Sequence, residues 1–215
     1  MQNLIERGYL KTPRIIEAFQ KIDRGDFVMD EYKSEAYVDI PLPIGGGQTI
    51  SQPLTVAFML ELLQPEPGDK VMDIGFGSGW TTALLAYVVG KKGKVCAIER
   101  ILELCEFGRK NVAKYNFIDK GIVEMKCGDG TKGYEKGGPY DNCKAITASG
   151  NERFDKILAG ASAKELPRAW KEQLKIGGRI VAPVGWSVWL FIKKNEDEFE
   201  EKEYPGFSFV PLVGE

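Results

Sequence analysis

The chain has 215 residues, a formal net charge of −2 and no histidine. Its length allows one domain with a full hydrophobic core, and its 43% hydrophobic and 28% charged residues are typical of a soluble globular protein. The lack of histidine excludes Ser-His-Asp and Cys-His nucleophile pairs, histidine-ligated zinc and the facial iron triad. The small net charge gives no general reason to expect nucleic acid or an anionic membrane as a partner.

The four cysteines, Cys96, Cys105, Cys127 and Cys143, form no C-x-x-C pair. We therefore expect neither a zinc knuckle nor a thioredoxin-like site, and no metal. The charged N-terminus lacks the apolar core of a signal peptide, and no apolar run approaches the roughly 20 residues of a membrane span. These features favour a cytoplasmic protein whose thiols are free.

The first predicted element is a helix that Thr12 caps and Pro13 begins. Its apolar residues share one face: Ile15, Ile16, Phe19 and Ile22. Residues 39–50 are rich in proline and glycine and predict a loop. Ser51 is typical of an N-cap, and a second helix is predicted from Pro53 to about Leu63.

From Lys70 onward, predicted strands and helices alternate. The strands are Lys70–Ile74, Val95–Ile98, Ile122–Lys126, Lys156–Ala159 and a segment after Gly178, and the helices are Trp80–Val89, Leu102–Tyr115 and Pro167–Leu174. This alternation predicts a doubly wound α/β fold with a mostly parallel sheet. The last segments, SVWLFIKK, EFEEKEY and FSFVPLV, predict antiparallel edge strands.

A glycine-rich turn follows the first of these strands, in the sequence VMDIGFGSG at 71–79. Glycine at 75, 77 and 79 permits a tight turn and lets a ligand approach the backbone. Glu99 ends the next strand about 20 residues later, where an acid accepts hydrogen bonds from ribose hydroxyls. Simple strand–helix packing for the glycines and a solvated carboxylate for Glu99 remain alternatives.

The spacing G-x-G-x-G differs from the dinucleotide fingerprint G-x-G-x-x-G, which disfavours an NAD-dependent dehydrogenase. Asp73 precedes the first glycine and suits a ligand with a cationic amino group better than a pyrophosphate. S-adenosylmethionine is such a ligand. Asp129, between Gly128 and Gly130, could accept a hydrogen bond from its adenine amino group, although an isolated G-D-G is more often a plain turn.

The chain resembles the protein-L-isoaspartate O-methyltransferase family over nearly its whole length. The similar segments are AYVDIPLPIGGGQTISQP at 36–53, DIGFGSGW at 73–80, IERILELCEFGRKN at 98–111, GDGT at 128–131, QLKIGGRIVAPVG at 173–185 and FVPLVG at 209–214. GQTIS and FVPLVG are specific to this family, whereas many methyltransferases share the glycine loop. The resemblance implies a Rossmann-like class I methyltransferase sheet with a helical N-terminal extension.

The resemblance also implies an activity and roles for residues. The family transfers a methyl group from S-adenosylmethionine to the free carboxylate of L-isoaspartyl residues in damaged proteins, which initiates repair and leaves S-adenosylhomocysteine. The implied catalytic residues are Thr49 and Ser51, although Ser51 could be a plain helix cap. The implied cofactor-binding residues are Gln48, Ile50, Asp73, Gly75, Gly77, Gly79, Glu99, Asp129 and Gly130. The implied substrate-binding residues are Val210, Pro211 and Leu212.

We expect a single methyltransferase domain with three parts: an N-terminal helical and active-site segment at 1–69, a cofactor-binding core at 70–185 and C-terminal strands at 186–215. The expected partners are proteins and peptides that contain isoaspartate, with no nucleic acid and no membrane. A monomer or weak oligomer is expected.

Some positions depart from the family pattern. Phe76 and Trp80 stand where the family usually has threonine and tyrosine, and the helix after Ser51 lacks a histidine that many members have. Val188, between two tryptophans, replaces a glutamine of many members. Because of these departures, a cofactor-binding but inactive relative remains an alternative.

A further departure lies between the third and fourth predicted strands. The segment FDKILAGAS fits the family spacing to Pro167, but YDNCKAITAS resembles it 14 residues earlier (154 − 140 = 14). We therefore predict an inserted segment near 140–153.

A methyltransferase acting on tRNA or a small molecule is a third alternative. An amine or hydroxyl nucleophile generally needs a base or an orienting cluster, and no such motif is visible. An isoaspartyl carboxylate, with a pKa of roughly 4, is already ionised at pH 7 and needs no base. A chain without histidine is therefore compatible with carboxyl methylation.

Overall fold

The computed structural model describes residues 2–134, 153–212 and 214. Cys143 and nearly all of the predicted insertion near 140–153 lie outside these residues. None of the helices in the described parts of the chain has the length and apolar character that crossing a bilayer requires.

The N-terminal part packs helices and a short hairpin beside the core. Its elements are α1 (Gln2–Glu6), α2 (Pro13–Lys21), β1 (Leu42–Gly45), β2 (Gln48–Ile50) and α3 (Pro53–Leu63). The prediction of a plain loop at 39–50 is wrong, because β1 and β2 pair antiparallel with Leu42 opposite Ile50. The glycines at 45, 46 and 47 all have positive φ and make the turn, while the apolar side chains of the strands are buried.

The core is a sheet of seven strands in the described residues, in the order β5-β4-β3-β6-β7-β8-β9. The strands are β3 (Lys70–Ile74), β4 (Lys94–Glu99), β5 (Val123–Cys127), β6 (Phe154–Ala159), β7 (Leu174–Val184), β8 (Ser187–Lys193) and β9 (Phe199–Pro205). The strands β5, β4, β3, β6 and β7 are parallel to one another. Strand β8 pairs antiparallel with β7, and β9 pairs antiparallel with β8. The predicted α/β fold with antiparallel C-terminal strands is thereby confirmed.

Helices cover both faces of this sheet: α4 (Trp80–Val89) and α5 (Leu102–Ala113) pack on one face, and α6 (Arg168–Gln173) packs on the other. Strand β3 has apolar side chains on both faces, which is why both faces need a cover of helices. Val71 belongs to one buried cluster, whereas Met72 and Ile74 belong to the other. The chain moves outward from β3 to β4 and β5, and then crosses back to β6 on the other side. The carboxyl ends of β3 and β6 therefore meet at a switch point, where α/β folds bind ligands.

The predicted strand FSFVPLV does not form. Phe207 N–H and Gly206 N–H both donate to the carbonyl of Trp186, which turns the chain back across the sheet end. Within the described residues the segment then pairs only by an isolated bridge between Pro211 and Ser162. Proline lacks the N–H that a regular ladder needs, so residues 207–212 lie over the carboxyl ends of the strands instead.

The two predicted helix caps also differ from the structure. Gln52, rather than Ser51, occupies the N-cap of α3, and the N–H of Leu54 donates to Asp39 Oδ1 at 2.8 Å. Asp39 therefore supplies the cap from fifteen residues upstream. Thr12 does occupy the N-cap of α2, but its hydroxyl donates to Glu61 Oε2 at 2.7 Å.

The expectation that the thiols are free is wrong for two cysteines. Cys105 on α5 and Cys127 at the end of β5 form a disulfide, and the buried Cys96 takes no part in it. The two cysteines are 22 residues apart, and no spacing motif predicts that they pair. They come together only when the sheet folds. The disulfide links α5 to the strand beside β4.

Candidate active site

Three cavities lined by described residues meet at the carboxyl ends of the parallel strands, and Thr49 and Gly160 line all three. The inner cavity lies between Glu99 and Gly130, and the loop cavity lies between Ser51 and the glycine turn. The outer cavity, of about 290 Å³, extends from Ser51 to the C-terminal segment. Thr49 and Gly160 thus lie where the three spaces adjoin.

The glycine turn gives the first two cavities part of their wall. Gly75, Gly77 and Gly79 have φ of +73°, +50° and +86°, which favour glycine. Gly75 and Gly77 line cavities, whereas Gly79 is absent from the linings of the inner, loop and outer cavities. A Cβ on Gly79 would lie 2.9 Å from the carbonyl oxygen of Gly108, so Gly79 allows α4 to start against α5.

Glu99 is 7% exposed and lies in the wall of the inner cavity. Its Oε2 accepts from Gly77 N–H at 3.0 Å, and its Oε1 accepts from the N–H groups of Arg100 and Ile101 at 2.8 and 2.9 Å. A carboxylate offers about four acceptor sites, so these bonds fix its orientation and leave capacity for a ligand hydroxyl. The arrangement fits a ribose.

Gly128 and Gly130 line the opposite side of the inner cavity. A Cβ on Gly130 would lie 2.5 Å from Ile74 Cγ2, so only glycine lets this turn approach β3. The side chain of Asp129 accepts from the N–H and the hydroxyl of Thr131 at 2.9 and 2.7 Å. Asp129 itself is not among the residues that line the three cavities, so its contact with an adenine amino group stays a prediction.

Asp73 is 1% exposed and is not among the residues that line the three cavities. It accepts hydrogen bonds from Thr82 Oγ1 at 2.6 Å and from Thr81 Oγ1 at 3.2 Å. Burial raises its pKa from 3.8 to about 6. Thr81 does line the loop cavity, so its hydroxyl links Asp73 to that space.

The segment from Gln48 to Ser51 forms the roof of the site. Gln48 lines the inner cavity, Ile50 the loop cavity, and Ser51 both the loop and outer cavities. Arg24 holds this roof from behind, because its Nη2 donates to the carbonyls of Ser51 and Ile40 at 3.1 and 3.0 Å. The Ser51 backbone is therefore fixed by Arg24, and the side chain does not cap the helix.

Arg24 is a residue that the sequence reasoning missed. It is 4% exposed, and its Nη1 also donates to the carbonyl of Ala36 at 2.6 Å. Burial lowers its pKa from 12.5 to about 10, so the guanidinium stays charged at neutral pH. No local motif marks it, since its acceptors are main-chain carbonyls that come together only in the fold.

Val210, Pro211 and Leu212 all line the inner cavity, and Val210 also lines the outer one. The segment is held by Ser162, whose N–H donates to Val210 O and whose carbonyl accepts from Leu212 N–H, each at 2.8 Å. The sequence did not mark several other cavity residues, which include Ile44, Gln52, Thr55, Ile101, Gly160, Ser208 and Phe209. No local motif marks these residues, because they come together only in the fold.

Comparisons with known proteins identify the family of this chain. The sequence model of the protein-L-isoaspartate(D-aspartate) O-methyltransferase family matches residues 1–153 and 149–215. A protein-L-isoaspartate O-methyltransferase of Methanopyrus kandleri is 42% identical over 100% of this chain and 91% of its own length. One of Archaeoglobus fulgidus is 45% identical over 94% of this chain and 86% of its own length.

Solved structures show the same fold. A Plasmodium falciparum chain, described as a protein-L-isoaspartate O-methyltransferase in complex with S-adenosyl-L-homocysteine, has a TM-score of 0.82 at 24% identity, covering 100% of this chain and 96% of its own. A second structure of that enzyme name has a TM-score of 0.82 at 28% identity, covering 99% of this chain and 64% of its own. Because the family model and these relatives extend over the whole described site, the chain belongs to the protein-L-isoaspartate(D-aspartate) O-methyltransferase family.

Proposed function

We propose that this protein transfers a methyl group from S-adenosylmethionine to the free carboxylate of L-isoaspartyl residues in damaged proteins and peptides. The observation that supports this most directly is the position of Thr49 at the junction of three cavities. A group transfer between two molecules needs two binding spaces that meet at one point. Family membership names the two molecules.

We assign the cofactor to the inner and loop cavities. Glu99 and the glycines around Asp129 suit the adenosine part, and Gly75, Gly77, Ile50 and Ser51 surround the space for the methionine part. The carboxylate of Asp73 reaches this space through Thr81. When bound, S-adenosylmethionine supplies a methyl group on a positively charged sulfur.

The peptide substrate fits the outer cavity. Ser51, Gln52 and Thr55 form one side of it, and Ser208, Phe209 and Val210 form the other. Val210 then contacts the peptide, whereas Pro211 and Leu212 act from the wall between peptide and cofactor. The division into an active-site segment at 1–69, a core at 70–185 and C-terminal residues from 186 follows these contributions.

The residues of this chain position the reactants and do not move a proton. The substrate carboxylate is ionised at neutral pH, so its oxygen attacks without a general base. The hydroxyls of Thr49 and Ser51 hold one carboxylate oxygen and leave the other free to face the methyl group. Bound substrate and cofactor displace water from the site, which strengthens the nucleophile.

The test is transfer of a labelled methyl group to an isoaspartyl peptide and to its twin with normal aspartate. We expect transfer to the isoaspartyl peptide and none above background to its twin. Equal transfer to both peptides, or transfer to neither with cofactor binding intact, would contradict the proposal.

A further inference from the structure

The disulfide between Cys105 and Cys127 lies next to the wall of the inner cavity. Leu104 and Gly128, which adjoin the two cysteines in the chain, both line that cavity, as Glu99 does. The bond therefore joins α5 to the end of β5 at the place where each of them contributes to the wall.

Glu99 is connected to both cysteine segments. It lies opposite Cys127 in the β4–β5 ladder, and its carbonyl accepts from Gly128 N–H at 2.8 Å. The Sγ atom of Cys105 lies 3.2 Å from the same carbonyl oxygen. Cys105 N–H donates to the carbonyl of Ile101, and Ile101 N–H donates to Glu99 Oε1, each at 2.9 Å. A movement of α5 against β5 therefore displaces groups that orient the Glu99 carboxylate.

The first turn of α5 buries only Leu104 and Cys105, whereas Leu102 and Glu103 are exposed. Its N-cap residue is Ile101, whose side chain has no acceptor for the N–H groups of this turn. A helix end with few buried contacts opens at a low free-energy cost. The disulfide restrains this turn, and its loss leaves Leu104 as the main anchor.

Thiol–disulfide exchange opens such a bond. A thiolate of a dithiol attacks one sulfur and displaces the other cysteine, and the second thiol of the dithiol then displaces the first cysteine. The products are two cysteine thiols and the oxidised dithiol, so two electrons and two protons pass to the protein. Cys127 is partly exposed, which gives a reductant access. In a reducing compartment a protein disulfide is usually transient and redox-sensing.

We propose that the Cys105–Cys127 disulfide is a redox switch for the cofactor site. The oxidised chain binds S-adenosylmethionine tightly, and reduction to two thiols weakens that binding because the first turn of α5 moves away from Glu99. This inference rests on the proposed function, since it takes the inner cavity as the cofactor site.

The test is calorimetric titration with S-adenosylhomocysteine before and after reduction with dithiothreitol. The variant Cys96→Ala/Cys143→Ala leaves Cys105 and Cys127 as its only cysteines, so any effect of the reductant comes from this bond. We expect the Kd to rise about tenfold on reduction, within the range of couplings between sites, and to return when oxidised glutathione re-forms the bond.

Alkylation with iodoacetamide followed by mass spectrometry shows when both cysteines are reduced. An unchanged Kd in the fully reduced chain would overturn the proposal. A bond that dithiothreitol does not open in the folded chain would also overturn it.

The coupling must be reciprocal, because the cofactor then opposes reduction by the same factor. In a series of dithiothreitol redox buffers, saturating S-adenosylhomocysteine should shift the ratio of oxidised to reduced chain about tenfold, which is about 30 mV for this two-electron couple. A midpoint that the ligand leaves unchanged would contradict the switch.

A control separates the switch from a general loss of stability. Leu174 is fully buried opposite Phe154, at the amino end of the parallel strands, and it does not line the three cavities of the site. Leu174→Ala in the same oxidised background should lose stability and keep its Kd, and Leu174→Val is the milder control if Leu174→Ala does not fold. An equal rise in Kd in a folded control would overturn the proposal.

Circular dichroism shows whether the reduced chain is folded. An unfolded reduced chain would make the bond a structural link only and overturn the switch. An oxidised chain that methylates no isoaspartyl peptide, but whose Kd rises on reduction, contradicts only the proposed function. Methylation of that peptide with a Kd that reduction leaves unchanged contradicts only the switch.

Discussion

At Ser51 the backbone and the side chain have separate roles. The carbonyl accepts from Arg24, and the side chain lines the loop and outer cavities, where we propose that cofactor and peptide meet. Because the helix cap comes from Asp39, removing the Ser51 hydroxyl leaves the cap intact.

Ser51→Ala should therefore lower kcat/KM about 10- to 100-fold, the range expected for a lost hydrogen bond to a charged group, and change the free energy of unfolding by less than about 0.5 kcal/mol. Methyl-transfer kinetics and urea unfolding measure the two effects. The control Ser208→Ala, in the outer cavity only, should keep most activity. Full activity in Ser51→Ala would show that this hydroxyl does not hold the substrate carboxylate.

Burial of the Asp73 side chain disfavours its ionised form. Its folded pKa of about 6 lies above the ordinary value of 3.8, so the folded state binds the proton more tightly than the unfolded state. The stability that this proton contributes is complete below about pH 4 and is lost as the pH rises through about 6.

The variant Asp73→Asn lacks this titration. We expect the unfolding free energy of the unmodified protein to fall relative to that of Asp73→Asn by about 2 kcal/mol between about pH 4 and pH 7. Urea unfolding of both proteins across this range measures the difference. A difference that stays constant with pH would show that Asp73 does not titrate in this way.

The elements around the site show which features a sequence makes visible. The glycine turn and Glu99 were predictable, because a strand, a tight turn and an acid at the end of the next strand lie within one local unit. Segment 48–51 was found through the family resemblance. The cap of α3 was predicted wrongly, because Asp39 is distant in sequence and reaches Leu54 only after the hairpin has formed.

Two other features depend on the packing of elements that are far apart in the chain. Arg24 meets four carbonyls from residues 36, 38, 40 and 51, and no spacing rule connects them. The last predicted strand failed because the bonds to Trp186 direct the chain across the sheet end. Periodicity predicts whether a segment is extended and does not predict its neighbours.

The disulfide between α5 and β5 should stabilise the fold by restricting the unfolded chain. For a closed loop of 22 residues, the chain-entropy model gives about 3 kcal/mol. Cys105→Ser and Cys127→Ser should each lose about this amount in urea unfolding, and a dithiol reductant should then have no further effect on them. Cys96→Ala serves as the control, because its response to the reductant should equal that of the unmodified protein. An unfolding curve that reductant leaves unchanged in the unmodified protein would contradict a stabilising role.

At the scale of the whole molecule, the N-terminal helices and the sheet contribute to one site. Glu61 of α3 accepts from Lys11 N–H, Thr12 N–H and the Thr12 hydroxyl, each at 2.7 Å, and so joins α2 to α3. Because segment 48–51 closes over the sheet end, cofactor binding should stabilise both parts together.

S-adenosylmethionine at about 100 times its Kd should raise the unfolding free energy by about 2.7 kcal/mol, which corresponds to about 5–10 °C in Tm for a chain of this size. Differential scanning fluorimetry measures this shift. Glu99→Gln should show a clearly smaller shift at the same concentration, whereas Glu103→Gln, exposed on α5, should match the unmodified protein. Equal Tm shifts in both variants would show that Glu99 does not contribute to cofactor binding.

The segment 207–212, which crosses the sheet end, also sets an order of events during translation. These residues follow all seven described strands in the sequence, yet Val210, Pro211 and Leu212 line the inner cavity. A nascent chain whose strands have already emerged from the ribosome still lacks that wall. With the cofactor in the inner cavity, as proposed, tight binding begins only when residues 210–212 have left the exit tunnel, so an incomplete chain should not retain the cofactor.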